Sequence, residues 1–396
     1  MTLFLIKDYY RINVFYQKAL EGRVMKITSI TIIIIYSFLF TIESYSIPRF
    51  AMRGGNNCID CHVNPTGGEM RNDKGWNMSR KGLTMSDPDS DFKMTNKIGD
   101  NIRFGFDIRG QLLGTLGKLK RIDYQNMSGV IYTSVDLSEK MNVFAKYDFE
   151  NTLWEGYGVA HVLPNDGYVK GGSFIPNFGI RLDDHTAYTR GGDLGFITSQ
   201  KLGLIYDPYY AETGVEVGFY ISDFAFLTAS VGRPIGRPAQ PLLSNDPSYT
   251  ARLQFNPSID ENVNLLFGGS FHRFRSTYTF PKSIADMYGG FAGIGIGNFT
   301  ILAEYDIARS YIIIDSLTNA LMIEASYKIV KGLEAVVRYD RIDPSTHTAN
   351  NDHSRIVIGF DIFPYPFVEI VPQYRVQMEH PSVANDAFNI QFHLFY

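Results

Sequence analysis

Cysteine is scarce in this chain: 396 residues contain two, Cys58 and Cys61. So few exclude a disulfide framework and a four-thiolate zinc site. Excess charge of one sign is also lacking. Lys and Arg number 37 against 41 Asp and Glu, a formal net charge of −4. A chain this close to neutral lacks the basic footprint of a nucleic-acid binder. Beyond residue 46 no apolar run approaches the ~20 residues of a spanning helix. No Gly-rich phosphate loop opens a helix, and no hydrolase order of Ser, His and Asp stands out.

What is present is concentrated in one pentapeptide, Cys58-Ile59-Asp60-Cys61-His62. Two thiols three apart with a histidine directly after form the attachment signature of a c-type haem. The thiols make thioethers to the porphyrin vinyls, and the imidazole of His62 is the proximal ligand to iron. Three other readings compete. A thioredoxin-like pair needs a strand before CxxC and a βαβ pattern around it. Here the lead-in is Arg53-Gly54-Gly55-Asn56-Asn57, which reads as loop. Structural zinc needs four ligands, yet the next histidine is His161. A disulfide closing so short a loop would constrain little.

A second axial ligand is often methionine. Met70 and Met78 are the nearer candidates, with Met85 and Met94 further on. Eight residues separate Met70 from His62, and an extended chain of that length reaches up to ~26 Å. Gly67-Gly68 permits the sharp turn. The competing reading is that these methionines only pack against a porphyrin.

Haem c is attached outside the bacterial cytoplasm, so an export signal is expected. Ile27–Ile42 is an apolar run preceded by Arg23 and Lys26 and followed by Ser44-Tyr45-Ser46. This is the pattern of a secretory signal cleaved after Ser46, with an uncleaved anchor as the alternative. Residues 1–24 fit neither, and Met25 is the expected translation start. The expected organisation is 1–46 as upstream extension and signal peptide, 47–98 as a monohaem cytochrome c segment, and 99–396 as a β-domain. Asp87-Pro88-Asp89-Ser90-Asp91 reads as a linker.

From about Ile102 the pattern has period two. Leu333, Ala335, Val337 and Tyr339 alternate with Glu334, Val336 and Arg338. Segments 299–307, 323–329 and 356–362 behave alike. This is strand alternation with one apolar and one polar face. A soluble sandwich buries the apolar face, whereas an outer-membrane barrel turns it to lipid. Strand length near the roughly 9–11 residues of a membrane strand favours the barrel. So do the aromatics expected at strand ends, Tyr209, Tyr210, Tyr305, Tyr339 and Tyr365. The closing strand Phe388–Tyr396 alternates to its final aromatic residue. The fold class expected is all-β: a transmembrane antiparallel barrel of about sixteen strands with a short N-terminal haem-binding segment. Gly232–Ser248 and Asp343–Asp352 would be extracellular loops.

Taken together, the chain resembles the fused monohaem cytochrome–porins of the bacterial outer membrane, the group that includes iron oxidases. The resemblance rests on Cys58, Cys61 and His62 and on the spacing Asn72…Gly75…Lys81-Gly82 that follows. It departs at Met78 and Leu83, where that family tends to carry aromatics; only Trp76 stands nearby. The resemblance implies one covalent haem c at the periplasmic side of the barrel or in its lumen. Electrons would pass between an extracellular donor or acceptor, iron among the candidates, and a periplasmic c-type cytochrome or other redox protein. Fe(II) oxidase activity is left open. A second feature is Gly171–Arg190, whose portion Gly172–Gly179 looks like a strand-turn of phosphate-type porins. Asp183-Asp184-His185 offers three ligands together. It is read as a lumenal site, with His185 as distal haem ligand or the three as a docking point for a metal ion, or else as a solvated turn. Two further functions compete with the electron conduit: a solute-selective porin with a haem-bearing plug or sensor, and a haem enzyme such as a peroxidase, which needs an open sixth position.

Overall fold

The computed structural model describes residues 48–68, 70–86, 94–116, 121–150, 152–182, 186–192, 203–204, 210–235, 246–275, 283–380, 382 and 385–396. The signal, the Ser46 cleavage site, the Met25 start, the linker at 87–91 and the Asp183-Asp184-His185 cluster lie outside these residues.

Period-two sequence becomes sixteen long strands. They are β1 (Ile102–Thr115), β2 (Ile122–Ser138), β3 (Met141–Asp148), β4 (Leu153–Ala160), β5 (Tyr168–Phe174), β6 (Ala211–Ser222), β7 (Ala225–Ile235) and β8 (Ser248–Phe255). They continue as β9 (Val263–Arg275), β10 (Ile284–Ile296), β11 (Phe299–Arg309), β12 (Leu317–Val330), β13 (Leu333–Asp343), β14 (His353–Tyr365), β15 (Val368–Glu379) and β16 (Ala387–Phe395). Each pairs antiparallel with its sequence neighbours, and β16 returns to β1 with Gln391 opposite Gln111. The sheet is therefore a closed barrel with no free edge. Two short pieces, Lys97–Ile98 and Ser258–Asp260, extend the ladder at one rim.

Burial decides which face is which. Val337, Phe267 and Tyr305 are 47%, 45% and 45% exposed, while Asp340, Arg355 and Lys170 are at 0%. Apolar side chains point out and charged ones point in, the inverse of a soluble sandwich. An apolar outer band of this kind belongs against lipid. Of the two segments read as loops, Gly232–Ile235 belongs instead to β7 and Ser248 opens β8, while 344–352 connects β13 to β14. Tyr210 departs from its girdle assignment: it is buried among lumenal side chains, its ring 6.0 Å from that of His272.

The two rims differ. At one, two-residue turns join β2 to β3, β6 to β7, β10 to β11, β12 to β13 and β14 to β15. At the other the connections are longer, and of the one between β5 and β6 the described residues 175–182 and 186–192 turn inward. Its Gly179 N–H donates to Ser270 Oγ at 2.8 Å and its Ile180 N–H to Glu304 at 2.8 Å. Arg190 bonds Glu304 at 2.7 Å, and Arg355 donates to Thr186. Gly179 is required where it is: its φ is +57°, and a Cβ there would lie 1.8 Å from a Glu304 carboxylate oxygen.

Candidate functional site

The N-terminal segment, 48–86, enters the lumen from the short-turn rim. Its regular structure is slight: helices Pro48–Gly54 and Asp73–Asn77, a 3₁₀ turn Cys58–Asp60 and a widened turn Met78–Gly82. Charge fixes it to the wall. Arg49 meets Glu324 at 3.1 Å and Glu334 at 3.5 Å and pairs with Asp361; Arg53 meets Glu334 at 2.8 Å. Aromatics fix the other side. Trp76 packs on Phe367 and Tyr396 with ring centroids at 5.5 and 6.4 Å.

Within the segment, Cys61–Val63 runs antiparallel to Met70–Asn72. Val63 N–H donates to Met70 O and Asn72 N–H to Cys61 O, each at 3.0 Å. The Gly67-Gly68 turn joins the two arms, with both glycines at positive φ. Asn72 then locks the pentapeptide. Its side-chain oxygen caps the next helix by accepting from Gly75 N–H, while its amide donates to the carbonyls of Ile59 and Asp60, all at 3.0 Å. A Cβ on Gly75 would fall 2.0 Å from the Cys61 carbonyl oxygen. The residues that carried the sequence resemblance, Asn72 and Gly75, are thus the ones that shape the turn around Cys58, Cys61 and His62.

That turn faces a cavity inside the barrel. The space open to the centres of water-sized spheres is about 300 Å³, at the lower end of the roughly 300–1,000 Å³ usual for cofactor sites. Cys58, Cys61, His62 and Gly67-Gly68 form its floor. Ile180, Arg181 and Leu182 of the inward loop line it, as do Tyr132, Tyr220, Phe226, Arg252 and Phe395 of the wall. Cys58 is open to this void yet enclosed by protein, so it is accessible and desolvated at once.

The electrostatics follow from that enclosure. Burial pushes both thiols up, against the pull of Arg252 and Arg181 on Cys58 and of Lys74 on Cys61. Protonated thiols lack the thiolate character of a thioredoxin-type pair. Burial, then Arg71 and Arg181, lower His62 to about 3, so the imidazole is neutral at ordinary pH. Its Nδ1 is buried without a hydrogen-bond partner. Neutral imidazole is the form that ligates metal. A vacant ring nitrogen, two thiols and a cofactor-sized void on one turn fit a covalently attached haem.

The other candidates fall elsewhere. Met70 is 2% exposed and belongs to a buried cluster with Tyr132, Phe144, Tyr157 and Tyr168 of the wall, outside the cavity lining. Met78 lies against Gly82, also away from the lining. His393 lines the cavity, but its ring nitrogens are 2.7 Å from Glu369 and 2.9 Å from Asp107. Arg49, Arg53 and Arg252 carried no sequence signal, since their partners lie far along the chain. Arg181 stands within the quoted stretch 171–190, but only contact with Gly68 reveals its place.

No protein-family model matches the chain, and no curated protein matches it. Solved structures do. The chain is similar to OprB of Pseudomonas putida at high pH, with 9% identity over 75% of this chain and 94% of that one and a TM-score of 0.57. OmpF of Salmonella typhi, in complex with daunomycin, gives 11% identity, coverage of 75% and 98%, and a TM-score of 0.55. The outer membrane channel DcaP of Acinetobacter baumannii gives 11%, 74% and 97%, and 0.51. At these identities the likeness is one of fold: this is a porin-type barrel.

Proposed function

We propose that the chain is an outer-membrane barrel whose lumen holds one haem c and carries electrons across the membrane. Cys58 and Cys61 attach the porphyrin and His62 is the proximal ligand. The observation that carries this reading is the CxxCH turn facing an enclosed cavity within the barrel. Bound haem supplies one-electron chemistry. The residues of the chain do the rest. Asn72 and Gly75 hold the turn, Ile180, Leu182 and Phe226 exclude water, and Arg49 and Arg53 keep the segment seated. A centre inside the lumen halves the path across an apolar band about 25 Å tall. An extracellular donor or acceptor, iron among the candidates, would stand at the long-loop rim. A periplasmic cytochrome or other redox protein would stand at the short-turn rim. The test is an absorbance spectrum of the purified protein, oxidised and reduced, before and after denaturation. A haem band that survives denaturation is expected, and it should vanish from Cys58→Ala/Cys61→Ala. A double variant with an unchanged covalent spectrum would refute the reading.

The second reading is a solute-selective porin with a plug, and the fold of OprB, OmpF and DcaP favours it. What supports the conduit is the CxxCH turn on the cavity and a packed wall beside it. Lys170, Asp340 and Arg355 face inward yet are fully buried, whereas a solute path needs wetted walls. Conductance in planar bilayers separates the two. Wild-type openings of porin size, kept in the double variant, would establish the porin.

A further inference from the structure

Cationic side chains gather around the cavity without acid partners. Arg71 comes from the plug, Arg181 from the inward loop and Arg252 from β8, and all three line the void. Other lumenal guanidinia are paired: Arg49 and Arg53 with Glu334, Arg190 with Glu304, and Arg338 and Arg355 with Asp340. Among the described residues Arg71, Arg181 and Arg252 meet no carboxylate. Arg252 is 7% exposed; its Nε donates to Gly179 O at 2.8 Å, and its guanidinium stands 4.4 Å from the Phe291 ring centre. Arg181 reaches only Thr66 Oγ1, at 3.5 Å, and closes so tightly on Gly68 that a Cβ there would lie 2.8 Å from its Cζ. Arg71 lies 4.5 Å over the Phe395 ring, and its Nε is buried without a partner. A buried guanidinium without a counter-charge is costly. Arg252 is buried and Arg71 and Arg181 are half-buried. The carboxylates of the same lining, Asp107, Asp148 and Glu369, form no ion pair with them among the described residues, so the three guanidinia suit an added anion.

We infer that Arg71, Arg181 and Arg252 form the carboxylate-binding wall of this cavity, take the two propionates of the porphyrin and raise its reduction potential. The inference rests on the haem reading above. The guanidinium fork matches a carboxylate in two-point contact, and a porphyrin brings two such groups. Fixed positive charge near the iron disfavours the ferric state, which carries one more positive charge than the ferrous. Surplus cations therefore move the potential up.

The experiment uses the full-length protein with its attached haem. Covalent haem is scored first, then the midpoint potential by spectroelectrochemistry. Arg181→Gln and Arg71→Gln lead, because Arg252 also anchors Gly179. Each is expected to keep its haem and to lower the potential, the ferric to ferrous ratio rising about tenfold, which is 59 mV for one electron. Arg181→Lys should restore most of the shift, since it keeps the charge and loses only the fork. Gln variants with attached haem and the wild-type potential would overturn the inference while leaving the haem reading intact. Wild-type protein without covalent haem would overturn both, and the first measurement reveals that case before any potential is read.

Discussion

Strand β13 and the helix Pro48–Gly54 meet at Glu334 and come to that contact by different means. The strand is placed by repetition: it pairs with β12 and β14 along nearly its whole length, and every second side chain faces lipid. The plug helix has no ladder. Seven residues long, it is too short to stand alone, since isolated helices under about 12–15 residues are marginal in water. Among its wall contacts are two arginine ion pairs, the Asn264 amide donating to Arg53 O at 3.1 Å, and Phe50 on Phe363 at 6.2 Å. The wall supports itself, and the plug takes its stability from the wall.

The largest test of that contrast is Glu334→Ala. It leaves Arg53 buried without its carboxylate and removes one of three from Arg49. Breaking a buried pair costs about 3–5 kcal/mol. The plug should become protease-sensitive between residues 48 and 86 while the barrel stays closed in a heat-modifiability gel. An equally protected plug would break the comparison. Val337→Arg probes the opposite side. A charge turned to lipid costs about 2–4 kcal/mol at mid-depth, so barrel unfolding in urea should shift while plug protection holds. Gly75→Ala should act more locally. Its Cβ meets the Cys61 carbonyl, and overpacking of this kind costs about 1–3 kcal/mol. Hydrogen exchange at residues 61–63 should quicken while the ladders are unchanged.

The smallest effect is electrostatic. Burial raises Asp73, but Lys97 at 2.6 Å and Arg103 outweigh it and hold the carboxyl below its ordinary value. Its folded pKa is thus below its unfolded one. The stabilisation is present above about pH 4 and is lost as pH falls through the folded value. Asp73 is half exposed, so the contribution is small. Protection of residues 73–77 should fall as pH drops below about 4, and Asp73→Asn should abolish that pH dependence.

These differences explain what could be read from the sequence. The wall was legible because a strand's orientation is written in its own residues: Leu333, Ala335 and Val337 show their face without reference to any partner. The pentapeptide was legible because Cys58, Cys61 and His62 are adjacent. The inward course of 175–182 and 186–192 was not, since Gly179, Arg181 and Arg190 are fixed by Ser270, Gly68 and Glu304. The position of Met70 was equally hidden, because nothing near it says that Tyr157 and Phe144 will cover it. Contacts across hundreds of residues leave no local pattern.

The anchoring of the plug also sets an order of events. Arg49 and Glu324 are 275 positions apart, and Arg53 and Glu334 are 281 apart. Contacts so distant in sequence form late, after the intervening chain has been ordered. The segment carrying Cys58 and Cys61 is made first and seated last. On the proposed function, attachment of haem at those sulfurs falls in the window while the segment is still undocked, before β12 to β14 receive it.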